Sequence, residues 1–96
     1  MNKVIWKYSL QVTDEQVIDM PKGASLLTVQ VQGEMACLWA IVEPSMPMEK
    51  RTFVVVGTGH EKDFDFFDVL TYIGTFQMVQ GAFIGHVFER RSHDCP

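Results

Sequence analysis

The sequence predicts an all-β fold of about six mainly antiparallel strands, forming a small sandwich or barrel with at most one short helical turn. Three observations carry that expectation. Val4–Val12 alternates apolar and polar residues with a period of two. A second alternating run, Leu27–Val31, leads through Gly33-Glu34 into a third apolar run, the pattern of a hairpin. No stretch sustains the 3.6-residue apolar period of a long helix.

In the first strand, Val4, Trp6, Tyr8, Leu10 and Val12 share the inward face, with Ile5, Lys7, Ser9 and Gln11 outward. Thr13–Gln16 then fits either a capping pattern starting a short helical turn or a plain polar loop. Met20-Pro21-Lys22-Gly23 is a breaker cluster. Ser25–Gln32 is the second strand, with Leu27, Val29 and Val31 inward, and Gly33-Glu34 suits a type II′ turn, which wants glycine first. Met35–Val42 is apolar on both faces, as a central or doubly covered strand should be.

Glu43–Lys50, with two prolines, reads as a surface loop, and Arg51–Val56 as the fourth strand. Gly57–Leu70 is a long connection whose aromatics predict that it packs back on the domain, with a short helical turn at Phe64–Val69. Thr71–Met78 and Phe83–Glu89 close the chain as a hairpin around Val79–Ala82.

At 96 residues the chain has room for one core, so residues 1–90 read as one β domain and 91–96 as a flexible tail. A 47% hydrophobic share excludes a disordered chain. Several strands are apolar on both faces, which predicts a homo-oligomer. The net charge of −4 argues against direct nucleic-acid binding. Acidic residues concentrate in Glu61–Asp68 and basic ones at Lys50–Arg51 and Arg90–Arg91, so a positive pocket can coexist with a negative surface. No apolar segment approaches a membrane span, and no metal-ligand spacing appears, so no metal or cofactor is expected. Cys37 reads as a small buried hydrophobe, and Cys95 as a thiol in the tail.

The chemistry-bearing residues are few. Gly57-Thr58-Gly59-His60 lacks the Lys-Ser/Thr pair of a nucleotide-binding P-loop and reads as a strand-ending turn or a backbone cradle for an anion. Arg51 is either an edge charge or a planar fork for phosphate or carboxylate. His86 sits on an apolar strand face, as a satisfied core group or as a donor to an anion, and His60 lies in a loop. Trp39 reads mostly as core, with stacking on a base as the alternative. No nucleophile–base arrangement is legible, so an enzyme is not expected.

The blocks WKYSL (Trp6–Leu10), MPKGA (Met20–Ala24), LWAIV (Leu38–Val42), RTFVVVGTGH (Arg51–His60), YIGTFQ (Tyr72–Gln77) and HVFE (His86–Glu89) resemble a family of small proteins in tailed-phage and prophage genomes. The resemblance runs from Trp6 to Glu89, leaving out Glu61–Leu70 and the tail. It implies phage origin and residence in the bacterial host cytoplasm, carries no activity, and draws attention to Arg51, His60, His86 and Glu89. The functional expectation is a phage accessory, anti-defence protein that works without catalysis. It is a homo-oligomer sequestering an anionic small molecule, such as a cyclic or ADP-ribose-type nucleotide, through Arg51, Gly57, Gly59, His60, His86 and Trp39. The alternatives are an inhibitor docking its acidic surface on a host defence complex, and a virion structural protein.

Overall fold

The computed structural model describes residues 2–91 as seven strands and one short 3₁₀ turn. The strands are β1 (Val4–Leu10), β2 (Glu15–Pro21), β3 (Ser25–Gln32), β4 (Met35–Val42), β5 (Met48–Gly57), β6 (Leu70–Met78) and β7 (Phe83–Arg90), with the 3₁₀ turn at Phe66–Val69. All pairings are antiparallel. They make a three-stranded sheet in the order β1-β4-β3 and a four-stranded sheet in the order β2-β5-β7-β6. The two sheets stay open and pack as a sandwich, so the all-β expectation holds and the barrel alternative does not.

The core lies between the sheets. Leu10, Ala36, Leu38, Ala40, Val42 and Val29 face Met20, Phe53, Val55, Phe76 and Val87. Fully burying one aromatic such as Phe53 contributes about 1.5–3 kcal/mol relative to leaving it exposed. A second, smaller cluster forms on the outer face of the four-stranded sheet, where Val54, Val56 and Leu70 are covered by Phe66 and Phe88.

The structure adds a strand that the breaker reading concealed. Glu15–Pro21 alternates Gln16, Ile18 and Met20 inward against Glu15, Val17 and Asp19 outward, and pairs with β5 from Glu15↔Val54 to Pro21↔Met48. Pro21 is tolerated because it ends an edge strand, where a missing N–H interrupts no ladder. The same pairing starts β5 at Met48, three residues before the expected Arg51. β1 stops at Leu10 rather than Val12, because Gln16 brackets the backbone of Gln11 through both amide atoms (3.0 and 2.7 Å) and turns the chain toward the other sheet.

One inward assignment is corrected. β3 carries a bulge between Leu26 and Thr28 opposite Ala40 and Trp39, so Leu27 is the extra residue and lies exposed while Leu26 packs on the core. Val29 and Val31 keep the expected side. The Gly33-Glu34 turn is a two-residue hairpin loop, with Gly33 at φ +65° in the left-handed region that glycine adopts freely. A second bulge at Ile73 shifts the parity of β6 and brings Tyr72 and Thr75 onto one face.

Candidate functional site

Arg51 is on the same face of β5 as the core residues Phe53 and Val55, at the end of the sandwich. Its guanidinium meets Glu89 of β7 at two points, Nε to Oε2 at 2.5 Å and Nη2 to Oε1 at 2.8 Å. The third nitrogen, Nη1, donates to the carbonyl of Ala24 at 2.6 Å. The Glu89 hydrogen bonds hold the Arg51 pKa above its ordinary value, against the opposing effect of burial. Every nitrogen of the expected anion fork is therefore engaged inside the fold, joining the β2–β3 connection to two strands of the four-stranded sheet. Across the core, burial raises the Tyr8 pKa while the nearby Arg51 charge opposes the rise, and the Tyr8 hydroxyl is buried without a hydrogen-bond partner among the described residues.

A cleft of about 630 Å³ surrounds this end, lined by residues that include Arg51, Lys50, Arg90 and Arg91. The two basic pairs seen in the sequence do meet there, yet each cation has a partner. Lys50 reaches Asp19 at 3.4 Å and Arg90 reaches Glu15 at 2.9 Å. Arg91 donates to the carbonyl of Asp68.

The remaining expected ligands lie elsewhere. Gly57 stands six residues along β5 from Arg51, about 20 Å away at the rise of a strand. It pairs with Gly85, and its missing side chain accommodates the His60 ring, whose Cε1 would lie 2.9 Å from an added Cβ. Gly57 and His60 share a small cleft of about 220 Å³ with Phe83 and Ile84. Gly59, at φ +89°, shapes the turn between them.

His86 is paired with Val56 and so faces outward, on the opposite side of the sheet from Arg51. Its Nε2 lies 2.6 Å from Thr58 Oγ1 and its Nδ1 lies 3.0 Å from Thr75 Oγ1, which is itself 2.6 Å from the Tyr72 hydroxyl. Both ring nitrogens are thus occupied by threonines. Trp39 alternates with the core residues Leu38 and Ala40, so it is half-buried on the outer side of the three-stranded sheet. The six expected ligand residues are distributed over three regions: Arg51 at one end of the sandwich, Trp39 on the outer side of the three-stranded sheet, and Gly57, Gly59 and His60 at the turn that His86 touches through Thr58. Strand alternation in the sequence already separates Arg51 from Val56, but the partner register that carries His86 to the far face is set by pairings invisible in one strand alone.

What gathers instead is an acidic, aromatic surface over the outer face of the four-stranded sheet. Glu61–Asp68 holds four carboxylates against Lys62. The segment is ordered by turn hydrogen bonds, Phe66 N to Asp63 O at 3.0 Å and Asp68 N to Asp65 O at 3.1 Å. Phe66 packs back onto Val54 and Val56, and Lys62 Nζ sits 5.0 Å from its ring centroid. Phe67 stacks obliquely on Phe88 at 5.4 Å, and Phe88 meets Tyr72 edge-on at 5.6 Å. Phe64 does not pack back as expected: it is 104% exposed, between Asp63 and Asp65. The helical turn is shorter than anticipated, Phe66–Val69, which leaves Phe64 outside it.

Among the described residues, no three His, Cys, Asp or Glu side chains gather as a metal site, and no helix is long and apolar enough to cross a membrane. His93 and Cys95 lie outside the described residues; Cys37 is buried, with its thiol 3.6 Å from the Met35 carbonyl. No curated protein and no solved structure matches the chain. A family model does, over residues 1–94, and the protein belongs to the family described as a domain of unknown function, DUF7352.

Proposed function

We propose that the protein acts without catalysis, by docking the acidic, aromatic surface around Glu61–Asp68 onto a basic surface of another protein. The observation that carries this reading is Phe64, wholly exposed between two carboxylates on a segment that is otherwise tied down. A large apolar side chain held out from a fixed base is what interface anchors provide, and a carboxylate rim steers and orients a cationic partner. Phe67 and Tyr72, also exposed, extend the apolar part of the surface. The resemblance to phage proteins suggests a bacterial host protein, such as a defence complex, as that partner. The sequestration of a nucleotide signal is the weaker reading, because Arg51 and both nitrogens of His86 already have partners within the chain.

The test is capture of host proteins on immobilised wild-type protein, Phe64→Ala and a double Asp63→Asn/Asp65→Asn variant, at low and high salt. A partner retained by the wild type, released by salt and lost from both variants supports the reading, and its affinity is then measured with the purified partner. Equal retention by all three proteins overturns it. A thermal-shift panel of cyclic and ADP-ribose-type nucleotides decides the other reading: a shift that Arg51→Ala abolishes without unfolding the protein would restore it.

A further inference from the structure

Among the described residues four strands end a sheet, β1 and β3 in one and β2 and β6 in the other, and they are not equivalent. β3 and β6 lie against each other where the sheets meet, so close that a Cβ on Gly74 would stand 3.3 Å from Val29 Cβ. That leaves β1 at the end of one sheet and β2 at the end of the other. β2 carries the devices that protect an edge from pairing: Glu15 and Asp19 on its outward face and Pro21 at its end. β1 reads VIWKYSL, with no proline and no bulge, and Lys7 is its one charge. Its first three residues are large and apolar, yet Val4, Ile5 and Trp6 remain 41%, 59% and 36% exposed, on alternating faces.

We propose that β1 pairs with β1 of a second copy of this chain, in antiparallel register about a two-fold axis through Trp6, joining two three-stranded sheets into one of six strands. A free backbone edge accepts a strand, and a two-fold axis perpendicular to the sheet keeps each residue's face, so only registers pairing residues of like parity are allowed. Centring on Lys7 would set Lys7 against its own copy. Centring on Ile5 would set Lys3 against Lys7 in both halves of the interface. Directly opposed like charges destabilise a sheet. Centring on Tyr8 would leave Val4 and Ile5 uncovered and carry the pairing into Leu10–Gln11, where the chain folds toward β2 and Gln16 occupies the Gln11 backbone. The Trp6-centred register opposes Val4 to Tyr8, Ile5 to Lys7 and Trp6 to Trp6, with no like charges directly opposed, and it covers the exposed apolar residues. The acidic surface lies on the other sheet, so this interface and the proposed docking function stand or fall separately.

Light scattering across a dilution series, with circular dichroism to confirm folding, is expected to give a dimer for the wild type. Ile5→Lys, which opposes two lysines at both ends of the interface, is expected to give a folded monomer. The register is read by cysteine cross-linking in a Cys95→Ser background. Residues on the axis sit about 4.5–5.5 Å apart between Cα atoms, within disulfide reach. Trp6→Cys should therefore form a disulfide dimer under mild oxidation, whereas Lys7→Cys alone should not. A wild-type monomer at all concentrations overturns the proposal. So does a dimer that survives Ile5→Lys, or one that cross-links through Lys7→Cys but not through Trp6→Cys.

Discussion

Arg51 and Glu89, on strands β5 and β7, form a two-point ion pair at 2.5 and 2.8 Å, with only 17% and 19% of their side chains exposed. Because the same guanidinium also holds the Ala24 carbonyl, one side chain fastens the β2–β3 connection to the four-stranded sheet. Arg51→Ala leaves a largely buried carboxylate and a carbonyl without their donor, and should lower stability by about 2–3 kcal/mol. Arg51→Lys, with one point charge in place of the fork, should recover only part of that loss. Urea unfolding of the three proteins checks both statements; an unchanged midpoint for Arg51→Ala would show that the pair does not hold the fold together.

Tyr8 offers a pH test. Burial raises its folded-state pKa above the unfolded value, so the neutral phenol is favoured in the folded protein. Its contribution is complete below about pH 10, where the unfolded phenol begins to ionise, and is lost as pH rises through the folded pKa. Tyr8→Phe should therefore flatten the decline of melting temperature above pH 10. Near neutrality the same change removes an unpartnered buried hydroxyl and should leave stability equal or slightly higher. A steeper alkaline decline in Tyr8→Phe contradicts the assignment.

Gly57 and Gly85 face each other across β5 and β7, yet their alanine variants should differ. A Cβ on Gly85 would stand 2.6 Å from Cζ of Phe76, a ring 3% exposed that has no room to retreat. Gly85→Ala should cost about 1–3 kcal/mol through overpacking. The atoms nearest a Cβ on Gly57 belong to the exposed His60 ring, which can swing into solvent, so Gly57→Ala should be nearly neutral. Comparable melting temperatures for the two variants would be inconsistent with this difference.

Phe64 and Phe66, two residues apart, should separate stability from recognition. Phe66 covers Val54 and Val56, so Phe66→Ala should destabilise the fold by about 1–2 kcal/mol, less than a fully buried aromatic. Phe64→Ala touches nothing in the monomer and should leave stability within about 0.5 kcal/mol. Denaturant titration of both reads the contrast directly, and a destabilised Phe64→Ala would mean that its ring packs inside the protein.

Much of the fold is legible in the residues because alternation and turn chemistry agree. β3, its Gly33-Glu34 turn and β4 coincide with the expected hairpin, and the long connection ends in the expected short turn. β2 is hard to read in the sequence because Thr13–Gln16 fits a turn and Met20–Gly23 a breaker cluster, which leaves few residues between them; Pro21 is tolerated on an edge strand as it would not be in a central one. Alternation alone puts Leu27 on the wrong face because a bulge displaces the face of a strand without any change in its composition. The site was less legible for a related reason. Alternation states which residues of one strand share a face, but whether Arg51 and His86 share one depends on which strands pair and in what register.

The crossover at Gln11–Asp14 has a kinetic consequence. It sends β2 into the sheet built otherwise from residues 48–90, while β1, β3 and β4 remain together. Neither sheet is then encoded by an uninterrupted piece of chain. The β3–β4 hairpin can close locally, but β1 must wait for β4 and β2 for β5, each across some thirty residues. Such separated pairings place the domain among slow folders, on the millisecond-to-second scale, and make the two sheets appear together in one cooperative step.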